Sequence, residues 1–434
     1  MRTALLPALL LLAPLGLGAQ APVPLTAEQA VAIALENNYA VRIAKLDAHT
    51  AEVLNTAGNA GMLPVVGING AYGMDNSATK QTFFSGEVRQ ADNADSKTIN
   101  GALALNWTVF DGFAMFAAKD RLAALEAMGK VELRQQLETT AYNVLTGYFL
   151  TVQVKKALAA QRDLMRTSQE RLQIAQSAFR IGTASGVALV QAKLDLSTDS
   201  AAILDLEQRL ATCRTQLNVL LGRQAGTPVE VADEIPAVAA LDLPTLQQQA
   251  RTGNSSLQQA RQAQLLSDIN VRQLRGALFP RLDLYGNYAY AHSTSSVGFL
   301  QSNTALGPNY GLRLSAPVFQ GERNSKAVQA AKIASEQARM GTEQAQLDMD
   351  RQLLDAWNAY NNANQRVALG QRDIAGVRSQ VDVALESYRL GMLTAVDLRD
   401  VQQGLLDAEN RLLLAQYEAK SAELQLRMLA GNLL

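Results

Sequence analysis

The chain has 434 residues with 39 Lys and Arg against 40 Asp and Glu, so no basic excess draws nucleic acid and charge alone nominates no partner. Its length suits two or three ordinary domains or one very elongated one. Cys213 is the only cysteine, which excludes an internal disulfide and leaves stability to packing.

The first stretch, MRTALLPALLLLAPLGLGAQA, carries Arg2, a leucine-rich core and small residues ending in Ala19-Gln20-Ala21, the pattern of a cleaved secretory signal over 1–21. It is short for a membrane span, and nothing later reaches the roughly 18 consecutive apolar residues a transmembrane helix needs. No cysteine follows the signal to accept a lipid. The mature chain is therefore expected to leave the cytoplasm without a helical anchor.

The remainder is a tandem duplication. An offset of 209 pairs Phe110 with Phe319, Gly112 with Gly321, Phe179 with Tyr388, Arg180 with Arg389, Gly182 with Gly391 and Gly222 with Gly431. Upstream the offset is 216, matching Asn38 to Asn254 and Met62-Leu63-Pro64 to Leu278-Phe279-Pro280. The first repeat is read as 22–222, with a helix over about 25–62, a β-hairpin at about 65–110 and a long helical hairpin at about 112–221. A proline-bearing connector covers 223–242. The second repeat covers 243–434, with a helix over about 243–278, a β-hairpin at about 281–319 and a helical hairpin at about 321–431.

The strands alternate with period two. Val66, Ile68 and Tyr72 share a face, as do Leu103, Leu105 and Trp107, then Leu282, Leu284, Tyr288 and Tyr290, then Tyr310, Leu312 and Leu314. Strands of about ten residues with one oily face suit a membrane β-barrel, with Tyr72, Trp107, Tyr288, Tyr290 and Tyr310 as its aromatic belt against membrane lipid. Hairpins capping a soluble core are the plainer alternative. Four strands do not close a membrane barrel, and open edges cannot face lipid, so the barrel is expected to be shared between chains whose number the edge argument leaves open.

From Gly112 to Phe179 no proline interrupts the helical pattern, which at about 1.5 Å per residue spans roughly 100 Å. Leu398, Val401, Leu405, Ala408, Leu412, Ala415, Ala419, Ala422, Leu426 and Leu429 keep an unbroken 3,4 spacing. The first copy repeats it as Leu189, Ala192, Leu196, Asp199, Ile203, Leu206, Leu210, Cys213, Leu217 and Leu220, with Asp199 the one polar exception. Met165, Ser168, Leu172, Ala175 and Phe179 answer it before the first turn, and Ile374, Val377, Val381, Ala384 and Tyr388 before the second. The helices suit either a hollow ring or a filled bundle.

The second turn, SYRLGMLTAVDLRDVQ, places Asp397 and Asp400 beyond Gly391, where the first copy has Ala188 and Gln191. The acids are not needed to make the turn. Asp397 suits a helix cap, and both suit lumen-facing charges that favour cations. His49 and His292 are read as solvated, the latter in an extracellular loop. No metal cluster, phosphate loop or nucleophile motif is found, so neither cofactor nor enzyme activity is expected.

The duplicated halves, the TVFDG and PVFQG junctions and the FRIG and YRLG turns together resemble the outer membrane factor family of TolC-like exit ducts. The resemblance covers essentially the whole mature chain. It implies a homotrimer with a twelve-stranded outer membrane β-barrel continuous with a periplasmic α-helical barrel of coiled-coil hairpins. It further implies passive conduction from a periplasmic adaptor and an inner membrane transporter. It implies a periplasmic gate at Tyr388, Asp397 and Asp400, and adaptor contact at the turns holding Arg180, Gly182, Arg389 and Gly391. Two positions depart from the pattern: Ala188 replaces the usual acid of the first turn, and Leu393 stands where a gate arginine is often found. The chain also ends at Leu434 without the C-terminal extension of longer relatives. A periplasmic coiled-coil adaptor or structural protein without a pore is the alternative, although its usual small flanking β-domains do not fit duplicated strand pairs.

Overall fold

A computed structural model describes residues 24–434, so the expected signal lies outside the described residues. The elements run twice through the order helix, helix, strand, strand, helix, helix. The first run is α1 (Ala27–Asn37), α2 (Tyr39–Leu54), β1 (Val65–Thr82), β2 (Val88–Phe110), α3 (Ala114–Ile181) and α4 (Gly186–Leu220). The second is α5 (Leu243–Gly253), α6 (Ser255–Gly276), β3 (Arg281–Ser295), β4 (Ser302–Ser315), α7 (Arg323–Arg389) and α8 (Ala395–Ala430).

Where one helix was expected ahead of each hairpin there are two, broken at Asn38 and Asn254. These residues leave the helical region with ψ of 127° and 117°. Each break is held from outside the helix. The Asn38 Nδ2 donates to the Leu220 carbonyl at 2.9 Å, and the Asn254 Nδ2 donates to the Leu429 carbonyl at 3.0 Å. Leu220 and Leu429 are themselves partners at the 209 offset, so the duplication persists in individual hydrogen bonds. Beside them Gly222 and Gly431 adopt left-handed φ of 70° and 71°. A Cβ on Gly222 would lie 2.5 Å from the Asn37 carbonyl oxygen, and one on Gly431 would lie 2.4 Å from that of Gly253. Only glycine satisfies both the backbone and the contact.

The chain forms two compact units, each discontinuous in sequence. One comprises Tyr39–Tyr142, Ala239–Ala359 and Ala422–Leu434 and holds a four-stranded antiparallel sheet in the order β1-β2-β3-β4. Pairing of β2 with β3 joins the hairpins of the two repeats. The register aligns Ile68, Leu103 and Tyr288 in one row, Val66, Leu105 and Tyr310 in another through Gly286, and Tyr72, Ile99 and His292 in a third. This face is apolar and open, with Ile68 84% and Tyr310 81% exposed. The opposite face is polar. There Thr108 donates to Asp283 at 2.8 Å, and the Arg313 guanidinium lies 5.2 Å from the centre of the Tyr285 ring.

The strands run to 14–23 residues, longer than the ten expected. Backbone pairing continues into polar sequence such as Asp75–Ser96 and Asn76–Asp95, because ladder hydrogen bonds do not depend on side-chain polarity. For the same reason His292 lies inside β3 and not in a loop, with its Nδ1 2.8 Å from the Thr304 hydroxyl. β4 ends at Ser315, so Phe319 lies outside a strand while its counterpart Phe110 ends one.

The other unit comprises the described part of Met1–Asn38 with Asn143–Val238 and Tyr360–Ser421. It contains the turn-bearing parts of both helical hairpins. Ile203, Leu206, Leu210 and Cys213 of α4 pack on Leu150, Val154 and Leu158 of α3, as coiled-coil spacing requires. Burial raises the Cys213 thiol above its ordinary range, in keeping with a small packing residue. Among the ten seam positions of α8, Leu398, Ala408, Ala415, Ala419, Ala422, Leu426 and Leu429 are buried and none is exposed. Towards the end of α3 the stripe differs from expectation. Gln161, Leu164, Ser168, Arg171 and Ala175 are buried, whereas Phe179 is 49% exposed. The sequence offers two overlapping 3,4 registers there, and the buried one carries polar residues.

Candidate functional site

Both helical hairpins turn by the same chemistry. Gly182 and Gly391 sit at φ of 87° and 75° just past the ends of α3 and α7. The Thr183 N–H donates to the Ala178 carbonyl and the Met392 N–H to the Ser387 carbonyl, each at 2.9 Å, a Schellman closure that satisfies carbonyls the helix leaves open. The returning helices are capped by side chains: Ser185 accepts from the Ala188 N–H, and Thr394 accepts from the Asp397 N–H.

Asp397 answers Thr394 reciprocally. Its Oδ2 accepts from the Thr394 hydroxyl at 2.6 Å and from the Thr394 N–H at 3.3 Å, making a capping box at the positive end of α8. Asp400 lies one turn further and is exposed. Tyr388 is half-buried, and Arg180 and Arg389 are exposed, with Arg389 paired to Glu386 at 2.8 Å. The tips also expose large apolar side chains in matching positions, Ile181 with Leu390 and Val187 with Val396, each at least 59% exposed. The aromatic residues Tyr72, Trp107, Tyr288, Tyr290 and Tyr310 share the open sheet face.

Near the turns lies a cluster that the pattern of acids in the turn did not reveal. Asp199, 1% exposed, accepts from Arg399 Nη2 at 2.6 Å, from Arg399 Nη1 at 2.9 Å and from the Ser168 hydroxyl at 2.6 Å. Arg171, 2% exposed, donates to Asp195 at 2.6 Å and to the Ala395 carbonyl at 3.3 Å. Burial holds the Arg171 guanidinium below the usual arginine range, with Asp195 opposing that shift. Two cations and two carboxylates thus balance, and they tie α3 and α4 of the first repeat to α8 of the second.

The signal for this cluster was present in the sequence: Asp199 interrupts the apolar seam, and Arg399 stands between the two acids of the turn. At the 209 offset Ser168, Asp195 and Asp199 correspond to Val377, Gly404 and Ala408, and Arg399 corresponds to Val190. The cluster therefore occurs once per chain. Among the described residues no group of three or more His, Cys, Asp or Glu is placed to hold a metal ion, and no helix is long and apolar enough to cross a membrane.

A duplicated chain that pairs a four-stranded sheet, apolar on its open face, with long turned helices defines the class of outer membrane channels. The chain matches the outer membrane efflux protein family over residues 30–223 and 246–432, and it belongs to that family. It is 22% identical over 374 residues to the outer membrane efflux protein BepC of Brucella suis, covering 84% of this chain and 77% of that protein. It is 22% identical over 409 residues to the alkaline protease secretion protein AprF of Pseudomonas aeruginosa, covering 92% and 83%. Its fold is that of the Campylobacter jejuni CmeC outer membrane channel, with a TM-score of 0.80 at 16% identity over 94% of this chain and 86% of that one. The protein is an outer membrane exit duct of efflux or secretion, extending into the periplasm, from a family of channels and not of enzymes.

Proposed function

We propose that three copies close a twelve-stranded barrel and pass substrates outward from a periplasmic adaptor and an inner membrane transporter, without chemistry or cofactor. The observation that carries this reading is the sheet: β1 and β4 are open edges, and the face bearing Ile68, Leu103, Tyr288 and Tyr310 is apolar and exposed. Open edges are excluded from lipid, so closure requires further copies.

The apolar tips around Gly182 and Gly391 are the surfaces we assign to the adaptor, since clustered exposed side chains such as Ile181, Val187, Leu390 and Val396 favour a partner over water. Tyr388, Asp397 and Asp400 are assigned to the constriction, and the ionic cluster around Asp199 to holding the second hairpin against the first. The cargo is assigned to the transporter, because relatives named for efflux and for protease secretion both match this chain over most of its length.

Cross-linking in isolated outer membranes and single-channel recording of the purified protein test the reading. A trimer with ohmic conductance after weakening of the Asp199 cluster is the expected outcome. Monomeric protein, or no conductance from native and weakened forms alike, overturns it.

A further inference from the structure

At the end of the sheet away from the long helices, β1 and β2 continue past the point where β3 and β4 turn back. The loop 296–301 between β3 and β4 lies across one face of that extension. It is tied there at both ends of its first half. The Ser296 N–H donates to the Asp95 carbonyl at 3.0 Å, and Arg89 Nη1 donates to the Gly298 carbonyl at 3.3 Å. Arg89 is itself held by Glu87 at 2.8 Å and lies 5.3 Å from the centre of the Phe83 ring. Gly298 has φ of 133°, and a Cβ there would come within 3.3 Å of the Gln81 carboxamide.

The ladder fixes which face the loop covers. Gln81 alternates in step with Gly67, Asn69 and Ser77, and Arg89 is its cross-strand partner, because the register shift between Ser77 and Thr79 places the extra residue on β2. Both therefore stand on the polar face of the sheet, opposite Ile68 and Tyr310. Burial agrees: Thr79, Gln81 and Ala91 are half-buried, whereas Lys80 and Gln90, which point the other way, are exposed. In a barrel that turns its apolar face to lipid, the covered face is the inner one.

From the end of this loop Phe299 and Leu300 stand 88% and 59% exposed. Twelve strands about 4.8 Å apart and tilted by about 40° enclose a backbone cylinder roughly 24 Å across, and a segment stacked on its wall stands about 10 Å inward. Three such loops would narrow most of the bore.

We propose that Phe299 and Leu300 form an apolar constriction at the outer mouth of the duct, with Arg89 as the residue that positions them. The inference rests on the three-copy barrel proposed above. An apolar constriction resists ions and polar solutes because water leaves it readily.

Cysteine labelling on intact cells tests this without depending on the periplasmic end. In full-length protein carrying Cys213→Ala, Asn69→Cys places a thiol on the inner face below the loop, and a charged, membrane-impermeant maleimide is added from outside. Labelling is expected to be slow with the native loop and about tenfold faster in Phe299→Ser with Leu300→Ser, and in Arg89→Gln. Lys80→Cys, on the outward face, should label at one rate in all forms. Native gels of the same membranes report assembly. Trimer with equal Asn69→Cys rates overturns the constriction and leaves the duct standing, as does acceleration shared by Lys80→Cys, which assigns the change to general loosening. Acceleration absent from Arg89→Gln alone overturns the role of Arg89. Monomer overturns the three-copy barrel and the constriction with it.

Discussion

The Asp199 carboxylate receives both terminal nitrogens of Arg399, 200 residues away in the chain, at a position where the other repeat has alanine. Removing one partner of a buried pair strands the other charge, which costs far more than the pair contributes. Arg399→Val should lower stability by about 3 kcal/mol, read as a fall in melting temperature, because the Asp199 side chain is 2% exposed. Asp199→Ala should cost less, since Arg399 keeps some access to water. The double change Asp199→Ala with Arg399→Val installs the residues of the other repeat and should recover most of the loss. The same single variants should open the channel more often in bilayer recordings.

Asp397 and Asp400 separate into two roles. Asp397→Ala removes the reciprocal half of the Thr394 capping box and should cost about 1 kcal/mol in thermal melts, while Asp400→Ala should leave stability within about 0.5 kcal/mol. Both should reduce cation selectivity in asymmetric salt. Selectivity unchanged in the double variant would confine Asp397 to its cap.

The glycines beneath the asparagine breaks allow a comparison of the repeats. Gly222→Ala and Gly431→Ala each place a methyl group against a carbonyl oxygen at a left-handed φ, and each should destabilise the fold by roughly 2 kcal/mol. Asn38→Ala and Asn254→Ala, which lose one carbonyl hydrogen bond each, should cost about 1 kcal/mol. Melting curves of the four purified variants check the order.

The two faces of the sheet should respond oppositely to charge. Leu103→Arg puts a cation on the open apolar face and should cost about 2–4 kcal/mol in lipid, with loss of protein from the outer membrane fraction. Ala104→Arg, one residue on and therefore on the polar face, should be accommodated. Fractionation and heat-modifiability on gels distinguish them.

Alkaline pH should loosen the segment around Tyr148. Its hydroxyl donates to the Leu25 carbonyl at 2.7 Å and accepts from the Ala232 N–H at 3.0 Å, and burial raises its pKa above the ordinary value of about 10. A raised folded-state value means that the stabilisation is complete below pH 10 and is lost as pH climbs through the folded pKa. Hydrogen exchange near Leu25 and Val231 should accelerate above pH 10 in the native protein. Tyr148→Phe should exchange faster throughout, without that added alkaline dependence.

The sequence by itself determined the features that local physics writes into short periods. The 209 offset, the alternating faces through Ile68, Leu103, Tyr288 and Tyr310, the seam from Leu398 to Leu429 and the turn glycines Gly182 and Gly391 all follow from residue spacing and backbone preference. Strand ends were less legible, because ladder pairing carried β1 and β2 past their apolar runs and took His292 into β3. Tertiary structure alone decided which long-range partners meet. Asp199 reads in the sequence as a flaw in a seam. Only the packing of α8 against α3 and α4 gives it its counter-ion. Pairing across 200 residues depends on which helices become neighbours, and no spacing within either helix encodes that.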